Sequence, residues 1–357
     1  MKAITRIFND LFVQYFSARK KPEIDFAFLL HARYTSDAIA TFPFLRPLPE
    51  KITRMFLGFA WPIRLSTITG VRMIRGGRRI RGAIIAIPMT AAQMIEQKSR
   101  AKKKIFRAAR FAEKLGAVVI GLGAYTSSLT DNGDDVKEVT DAAVTNGNTF
   151  TAIASAENIS RIVSGAGKEL GRMRIAILGA TGSVGGILSR ILLRAGAQEL
   201  LLVSRTLINL EALKSTLAKQ FPGRAIDIST DPASLVSADF VVLATNSPAA
   251  LIQTEHLKKG AIVYDISQPK NITKSVISAR RDCRFYEGGM VVSPPAIDYH
   301  FKFPLKQGNV FACLAETITI AAAEIPMEKI TYGDDTYADL IKAHSRTIGF
   351  HPSYYEL

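Results

Sequence analysis

Along the chain, short runs of consecutive apolar residues alternate with segments in which apolar residues have helical spacing. This alternation is clearest around residue 179. Residues 175–178 form an apolar run of strand length that ends at Gly179. Apolar side chains then recur with the 3.6-residue period of a helix, at Val184, Ile187, Leu188, Ile191 and Leu192. The stretch therefore predicts a strand, a glycine turn and a helix.

The same alternation continues downstream. Further apolar runs of strand length begin near residues 200, 225, 240, 261 and 284, and a helical pattern covers residues 210–221. Strands that alternate with helices predict a parallel, doubly wound sheet of the Rossmann type. We expect an α/β fold of three parts: a basic N-terminal α/β domain (1–150), a Rossmann domain (151–295) and a C-terminal helical segment (296–357).

The first third of the chain carries other patterns. Residues 1–21 predict an amphipathic helix, which either packs on its own domain or lies at a membrane surface. The apolar, aromatic stretch at residues 55–62 is expected to be core, with a hydrophobic ligand pocket or contact with lipid as the alternatives. A long helix is predicted from Thr90 to about Leu115, with a basic stripe on one face at Arg100, Lys103, Lys104, Arg107 and Arg110. This stripe is either a docking face for an anion or simply a solvated face.

Net charge is the unusual feature of the composition. The chain of 357 residues has a formal charge of +15, and residues 1–114 hold 23 Lys and Arg against 7 Asp and Glu, a balance of +16. Such asymmetry favours an anionic partner for the first third. Nucleic acid is a poor candidate because few aromatic residues accompany the cations. Only two cysteines and no apolar run of about 18 residues favour a cytoplasmic protein, with contact at the inner face of the membrane as an open alternative.

The turn after residue 178 has the chemistry of a dinucleotide site. Gly179, Gly182 and Gly185 allow a tight turn, close approach of a pyrophosphate and close packing of the helix, and Thr181, Ser183 and Val184 lie between them. Ser204, Arg205 and Thr206 follow the second strand, where hydroxyls and a cation favour the 2′-phosphate of NADPH over NADH. Thr245 and Asn246 follow the fourth strand and are expected to border the cofactor.

A second unit of strand, glycines and polar residues lies at 118–128, and a cysteine lies far downstream. Residues 118–120 predict a buried strand, and Gly121, Gly123 and three hydroxyl residues follow it. Cys313 falls in the first or second turn of a predicted helix, where amide dipoles and cations favour a thiolate, whereas Glu316 one turn later opposes it. Taken alone, the position of Cys313 favours a small core residue over a nucleophile.

Several blocks, in order, give the chain a resemblance to the fatty-aldehyde-forming long-chain acyl-[acyl carrier protein] reductases of cyanobacteria. They cover roughly residues 100–320, and the most specific is Phe-Ala-Cys-Leu-Ala-Glu around Cys313. The other blocks are Leu-Gly-Ala-Tyr-Thr-Ser (122–127), Gly-Asn-Thr (147–149) with Thr151, Gly-Ala-Thr-Gly (179–182), Pro-Lys-Asn (269–271) and Gly-Gly (288–289).

The resemblance implies a reaction in two steps. Cys313 attacks a long-chain acyl thioester and forms an acyl-enzyme, which NADPH reduces to the aldehyde. The oxyanion that develops needs hydrogen-bond donors, and the candidates are Thr126, Ser127, Asn148, Thr149 and Lys270. The basic first third would bind the acidic acyl carrier protein, with acyl-CoA as another possible donor. An enzyme that the sequence does not identify would consume the aldehyde.

Two other functions fit the same sequence. A shikimate- or amino-acid-type NADP-dependent dehydrogenase would need an acid/base pair in the first domain and would have no use for Cys313. A protein of the membrane surface that senses nucleotide without turnover would bind NADPH and vesicles but would oxidise nothing.

Overall fold

The computed structural model describes residues 9–15, 22–245, 247, 251–268 and 270–357. The chain forms two compact units. Unit 1 comprises residues 1–147, 293–331 and 343–350, and unit 2 comprises residues 148–292, 332–342 and 351–357. The segment 296–357, which the sequence sets apart as a third part, is therefore divided between the two units. None of the helices in the described ranges is long and apolar enough to cross a membrane.

The described elements are thirteen strands and thirteen α-helices. The strands are β1 (Phe26–Ala32), β2 (Ile63–Arg72), β3 (Arg79–Thr90), β4 (Val119–Leu122), β5 (Ala143–Thr145), β6 (Arg174–Leu178), β7 (Glu199–Val203), β8 (Ala225–Ser229), β9 (Phe240–Leu243), β10 (Ile262–Asp265), β11 (Arg284–Val292), β12 (Asn309–Phe311) and β13 (His351–Glu356). The helices are α1 (residues 9–15), α2 (Thr35–Thr41), α3 (Glu50–Phe59), α4 (Ala91–Glu96), α5 (Lys98–Lys114), α6 (Tyr125–Ser128), α7 (Asp134–Lys137), α8 (Asn148–Gly165), α9 (Ser183–Arg194), α10 (Leu207–Gln220), α11 (Lys274–Ala279), α12 (Ala312–Ala323) and α13 (Asp335–Ile348).

Unit 1 is built around a five-stranded sheet in the order β2-β3-β1-β4-β5. Only β2 is antiparallel to its neighbour, and the other pairings are parallel. Alternate residues of a strand face opposite sides of a sheet. Ala27 and Leu29 of β1 pack in one cluster with the apolar side of α5. On the other side, Gly121 of β4 lies against Phe28 and against Thr317 of α12. Helices α5 and α12 therefore cover opposite faces of this sheet.

The predicted helix from residue 90 to 115 is two helices. Thr90 caps α4 through a reciprocal pair of hydrogen bonds with Gln93, and the chain leaves helical geometry at Gln97 (φ −123°, ψ 52°) before α5 begins.

The prediction of a continuous basic stripe along this segment is wrong at Lys104. Its side chain is buried and its Nζ donates to the carbonyl oxygens of Leu57 and Ala60, at 2.9 Å and 2.6 Å. Burial lowers the pKa of Lys104 to about 8. Lys103, Arg107 and Arg110 remain exposed.

Unit 2 confirms the predicted doubly wound sheet. Its six parallel strands lie in the order β8-β7-β6-β9-β10-β11, which is the 3-2-1-4-5-6 order of dinucleotide-binding domains. The strand order reverses between β6 and β9, where such domains place their ligand. The end of the chain, predicted as part of a C-terminal helical segment, is instead strand β13, which pairs antiparallel with β11.

Candidate active site

Cys313 is the second residue of α12, and its position depends on how that helix packs in unit 1. The helix begins after Phe311, which has extended backbone geometry. It crosses β1 and β4, where a Cβ on Gly121 would lie 1.9 Å from Thr317 Oγ1. Such a separation leaves no room for any side chain at residue 121. A missing side chain in the sheet thus allows the cysteine-bearing helix to lie close to the strands.

Gly147 lies directly against Cys313. Its backbone is left-handed, with φ of +69°, and a Cβ at this position would be 2.2 Å from Cys313 Cβ. Both features require glycine. The glycine of the Gly-Asn-Thr block therefore fixes where the main chain of the cysteine can lie.

A buried polar pair stands beside these two residues. Thr145 Oγ1 donates to Glu316 Oε1 at 2.7 Å and accepts a hydrogen bond from the Gly147 backbone N–H at 3.1 Å. Thr145 and Glu316 are fully buried. The pair ties the strand end that carries Gly147 to the first turn of α12.

The structure opposes the thiolate that the helix position alone favours. Cys313 keeps some exposure to solvent, yet burial and, to a smaller extent, the nearby Glu316 carboxyl raise the pKa of its thiol to about 12. The backbone N–H groups of Leu314 and Cys313 act in the opposite direction but do not offset burial. The resting residue is thus a thiol, and nucleophilic attack requires a group that accepts its proton.

The turn after β4 holds two of the predicted oxyanion donors. Ala124 adopts φ of 49° and ψ of −123°, a strained geometry for alanine. Tyr125 N–H donates to His31 Nε2 at 3.3 Å, and His31 Nδ1 donates to the Ala32 carbonyl at 2.9 Å. Burial lowers the pKa of His31, so the ring is a neutral support of the turn. Both Thr126 and Ser127 are buried in this turn.

Of the five predicted oxyanion donors, Thr126 and Lys270 already contact other groups of the protein through their side-chain donors. Thr126 Oγ1 donates to the Gly123 carbonyl at 2.8 Å, and Lys270 Nζ lies 3.0 Å from Glu287 Oε1. Thr149 differs, because its hydroxyl is fully buried and has no hydrogen-bond partner among the described residues. Asn148 begins α8 directly before it. An unpaired buried hydroxyl is costly, so Thr149 calls for a functional explanation.

In unit 2, the glycine turn has the geometry that a dinucleotide requires. Gly179 has φ of +89°, and a Cβ there would lie 2.4 Å from the Ala244 carbonyl oxygen. A Cβ on Gly185 would lie 2.3 Å from the Gly179 carbonyl oxygen, so the helix packs closely on the turn. Gly182 is exposed at the head of α9, next to Ser183 and Val184. The turn therefore fits a pyrophosphate on the amides and positive dipole end of α9.

The predicted adenosine end of this site lies after β7. Thr181 and Ser204 share a hydrogen bond of 2.5 Å between their hydroxyls, which joins the glycine turn to the end of β7. Arg205 and Thr206 are exposed at the start of α10. Thr245 follows β9 and accepts a hydrogen bond from Ser247 N–H. Asn246 lies outside the described residues, as does Pro269 of the Pro-Lys-Asn block.

Thr145 is the residue that the sequence reading missed. It is the last residue of β5, and a polar residue at the carboxyl end of a parallel strand is a recognised signal for a ligand or active-site contact. The same signal identified Thr126 and Ser127. From the sequence, Glu316 is expected only to oppose the thiolate, whereas the structure shows it hydrogen-bonded to Thr145 beside Cys313.

Comparison with known proteins agrees with the fold of unit 2. Residues 157–287 match the family model of shikimate / quinate 5-dehydrogenase. Together with the strand order, this match identifies unit 2 as an NAD(P)-binding domain of the dehydrogenase and reductase type. The prediction of an NAD(P)-dependent oxidoreductase is thereby confirmed. A solved quinate dehydrogenase from Corynebacterium glutamicum, in complex with NAD, is 13% identical over 91% of this chain and 98% of its own. Its TM-score of 0.39 is too low to support an argument about function.

Two curated relatives are each 27% identical to the chain. The aminotransferase PigE of Serratia sp. aligns with 69% of this chain and 29% of its own length. The long-chain acyl-[acyl-carrier-protein] reductase of Synechococcus elongatus aligns with 62% of this chain and 66% of its own. The chain thus spans less than two thirds of either relative.

Proposed function

We propose that the chain is a cytoplasmic, NADPH-dependent reductase that converts long-chain acyl thioesters to fatty aldehydes through an acyl-enzyme on Cys313. The observation that carries this proposal is the setting of Cys313, with the backbone of Gly147 against it and Glu316 one turn away. The similarity to the Synechococcus reductase supports the same reaction.

The first step is acyl transfer to sulfur. Because the thiol pKa is about 12, we propose that Glu316 accepts the proton as Cys313 Sγ attacks the acyl carbonyl carbon. The new C–S bond forms, the bond to the donor sulfur breaks, and the departing thiolate takes a proton. Thr149 is our preferred oxyanion donor, because its buried hydroxyl is unpaired in the described structure.

The second step is reduction of the enzyme thioester. When bound, NADPH supplies the hydride that converts the acyl carbon to the aldehyde, and Cys313 departs as the thiolate and recovers its proton. We propose that Gly179, Gly182 and Gly185 hold the pyrophosphate and that Ser204, Arg205 and Thr206 bind the 2′-phosphate. A cation between two hydroxyls is the chemistry that this phosphate requires.

For the acyl donor we propose acyl carrier protein, bound by the turn between β2 and β3. The five arginines at 72, 75, 78, 79 and 81 are exposed, and Arg78 is paired with Asp25. Ile74 N–H in this turn donates to the Ala322 carbonyl at the end of α12, 2.8 Å away. The basic turn thus adjoins the helix of Cys313, about 14 Å from the cysteine along the helix axis. An acidic carrier fits this charge.

The deciding experiment is turnover of matched C16 acyl-carrier-protein and acyl-CoA with NADPH, with the product identified by mass. Cys313→Ala is expected to abolish aldehyde formation, and the same variant should fail to trap a labelled acyl group when NADPH is absent. Cys283→Ala is the control, since this second cysteine lies in unit 2 and should not affect either assay. Undiminished aldehyde formation by Cys313→Ala would exclude the proposed nucleophile.

The family match favours a second candidate, an NADP-dependent dehydrogenase of small hydroxy or amino acids. This activity would not use Cys313. Screening such acids for oxidation with NADP⁺ distinguishes the two functions, because only the second predicts turnover that Cys313→Ala leaves intact.

A further inference from the structure

Helix α3 presents its apolar side to solvent. Ile52, Met55, Phe56 and Phe59 recur at the spacing of one helix face, and all four are exposed, Met55 to 58% and Phe59 to 69%. The buried side of the same helix consists of Thr53, Leu57 and Gly58. The stretch at residues 55–62, expected to be core, is therefore largely a surface.

Aromatic rings extend this surface at both ends of α3. Phe44, also exposed, makes an edge-to-face contact with Phe56 at 6.3 Å between ring centroids. Beyond Phe59, Trp61 is 44% exposed and contacts Tyr15 edge-to-face at 6.4 Å. We call the set of Phe44, Ile52, Met55, Phe56, Phe59, Trp61 and Tyr15 the aromatic surface.

Cations of α5 stand over and beside these rings. The Arg100 guanidinium lies 4.7 Å from the Phe59 ring centroid, and that of Arg107 lies 5.9 Å from Tyr15. Lys103 and Arg110 are exposed on the same helix. The Lys104 ammonium joins α5 to the end of α3 through the carbonyls of Leu57 and Ala60. Apolar rings and a row of positive charges therefore form one surface of unit 1.

We propose that the aromatic surface binds the face of a bilayer that contains anionic phospholipids. Exposed Trp, Tyr and Phe side chains suit the boundary between headgroups and acyl chains, and the adjacent cations complement anionic headgroups. A patch of this kind on a monomer marks an interaction site. Anchoring is at the interface, since no described helix is long and apolar enough to cross a membrane. At a bilayer, an enzyme that acts on long-chain acyl groups would release its apolar aldehyde product beside the lipid phase. The surface is nevertheless proposed independently of that activity.

Trp61 supplies a direct reporter, because it is the only tryptophan of the chain. The protein is mixed with vesicles of phosphatidylcholine alone or of phosphatidylcholine with about 30% phosphatidylglycerol, an anionic lipid. We expect a blue shift of Trp61 emission, quenching by brominated acyl chains and co-flotation with the mixed vesicles only. Raised salt should weaken all three signals.

Two variants test the two parts of the surface. Phe56→Gln with Phe59→Gln should lower vesicle partitioning at least tenfold, and Lys103→Glu with Arg110→Glu should remove the preference for anionic vesicles. The matched control is Val118→Gln with Ile208→Gln, which replaces apolar residues that are 64% and 71% exposed elsewhere. This control should bind like the parent protein.

Three results would overturn the proposal. The first is the absence of binding to mixed vesicles by the parent protein. The second is a Trp61 shift on adding acyl carrier protein without lipid. The third is a dimer in sedimentation velocity that Phe56→Gln with Phe59→Gln dissociates, which would assign the surface to a second copy of the chain. Aldehyde turnover is not used in these measurements, so failure of the proposed reaction would not affect them.

Discussion

The two units use glycine in different ways at the ends of their parallel strands. In unit 2, Gly179 and Gly185 let one piece of backbone approach another, and Gly182 is left exposed at the head of α9. In unit 1, Gly121 and Gly147 make room for Thr317 and Cys313 of α12. The first arrangement shapes a surface that a ligand can approach, whereas the second holds Cys313, the proposed nucleophile, close to the sheet.

This difference predicts that the two steps of the proposed reaction can be separated by mutation. A substitution at a unit 1 glycine should impair acylation and spare the cofactor, and a substitution at a unit 2 glycine should do the reverse.

The largest effect is expected for Gly147→Ala. The new Cβ would collide with Cys313 Cβ, and displacing a nucleophile by about 1 Å costs on the order of 100-fold in rate. We therefore expect acyl-enzyme formation to fall about 100-fold, while NADPH binding, followed by fluorescence titration, is retained. Gly167→Ala is the control, because Gly167 has nearly the same φ, +68°, with nothing within 4 Å of its Cβ position. If both variants lose acylation equally, backbone strain rather than the Cys313 contact is responsible.

Gly179→Ala should impair NADPH binding and leave acylation intact. Its Cβ would press on the Ala244 carbonyl and distort the turn, so the Kd for NADPH should rise about tenfold or more, equivalent to at least ~1.4 kcal/mol. Trapping of the acyl group without NADPH should continue. Gly196→Ala, with φ of +106° and an open Cβ position, supplies the matched substitution in the same unit. Loss of acylation in Gly179→Ala would contradict the separation of the two steps.

Arg205→Ala tests whether unit 2 binds the 2′-phosphate of NADPH through this arginine. Removal of the cation should raise the KM for NADPH about tenfold and leave the KM for NADH unchanged, because only NADPH carries the 2′-phosphate. Arg281→Ala removes another exposed arginine of unit 2 and should change neither constant. Equal effects on both cofactors would remove Arg205 from the 2′-phosphate site.

Glu316→Gln tests how this carboxyl affects the Cys313 thiol, and we expect its effect to be the smallest of the four substitutions. A negative carboxyl raises the pKa of Cys313, so its removal should lower that pKa and increase alkylation of Cys313 by iodoacetamide at pH 8.5 by severalfold. Mass spectrometry separates this label from that on Cys283. Turnover should nevertheless fall, because the proposed proton acceptor is lost. Faster alkylation together with faster turnover would show that Glu316 only suppresses the thiol.

Part of the fold could be predicted because its signals are local. The parallel sheet of unit 2 follows from apolar runs and helical spacings within a few residues of each other, and the glycine turn follows from three positions. The break at Gln97 was missed because the apolar spacing continues through it, while the capping box at Thr90 and Gln93 ends the first helix early.

Side-chain environments were harder to predict, because they depend on residues far apart in the chain. Lys104 matches the spacing of its basic neighbours, yet it is buried because the carbonyls of Leu57 and Ala60 meet its ammonium. Ile52, Met55, Phe56 and Phe59 have the spacing of a core-facing helix, yet they are exposed. A helical pattern states which residues share a face, but not what that face meets.

The sequence by itself determined the doubly wound domain, the glycine turn and Cys313 as a candidate, since these depend on spacing and on residue type. Only the tertiary structure decided that Gly147 meets Cys313, that Thr145 binds Glu316 and that the thiol is held above its usual pKa. The first two of these facts join residues more than 160 positions apart, as in the 171-residue separation of Thr145 and Glu316. Contact and burial arise from packing, which sequence spacing does not encode.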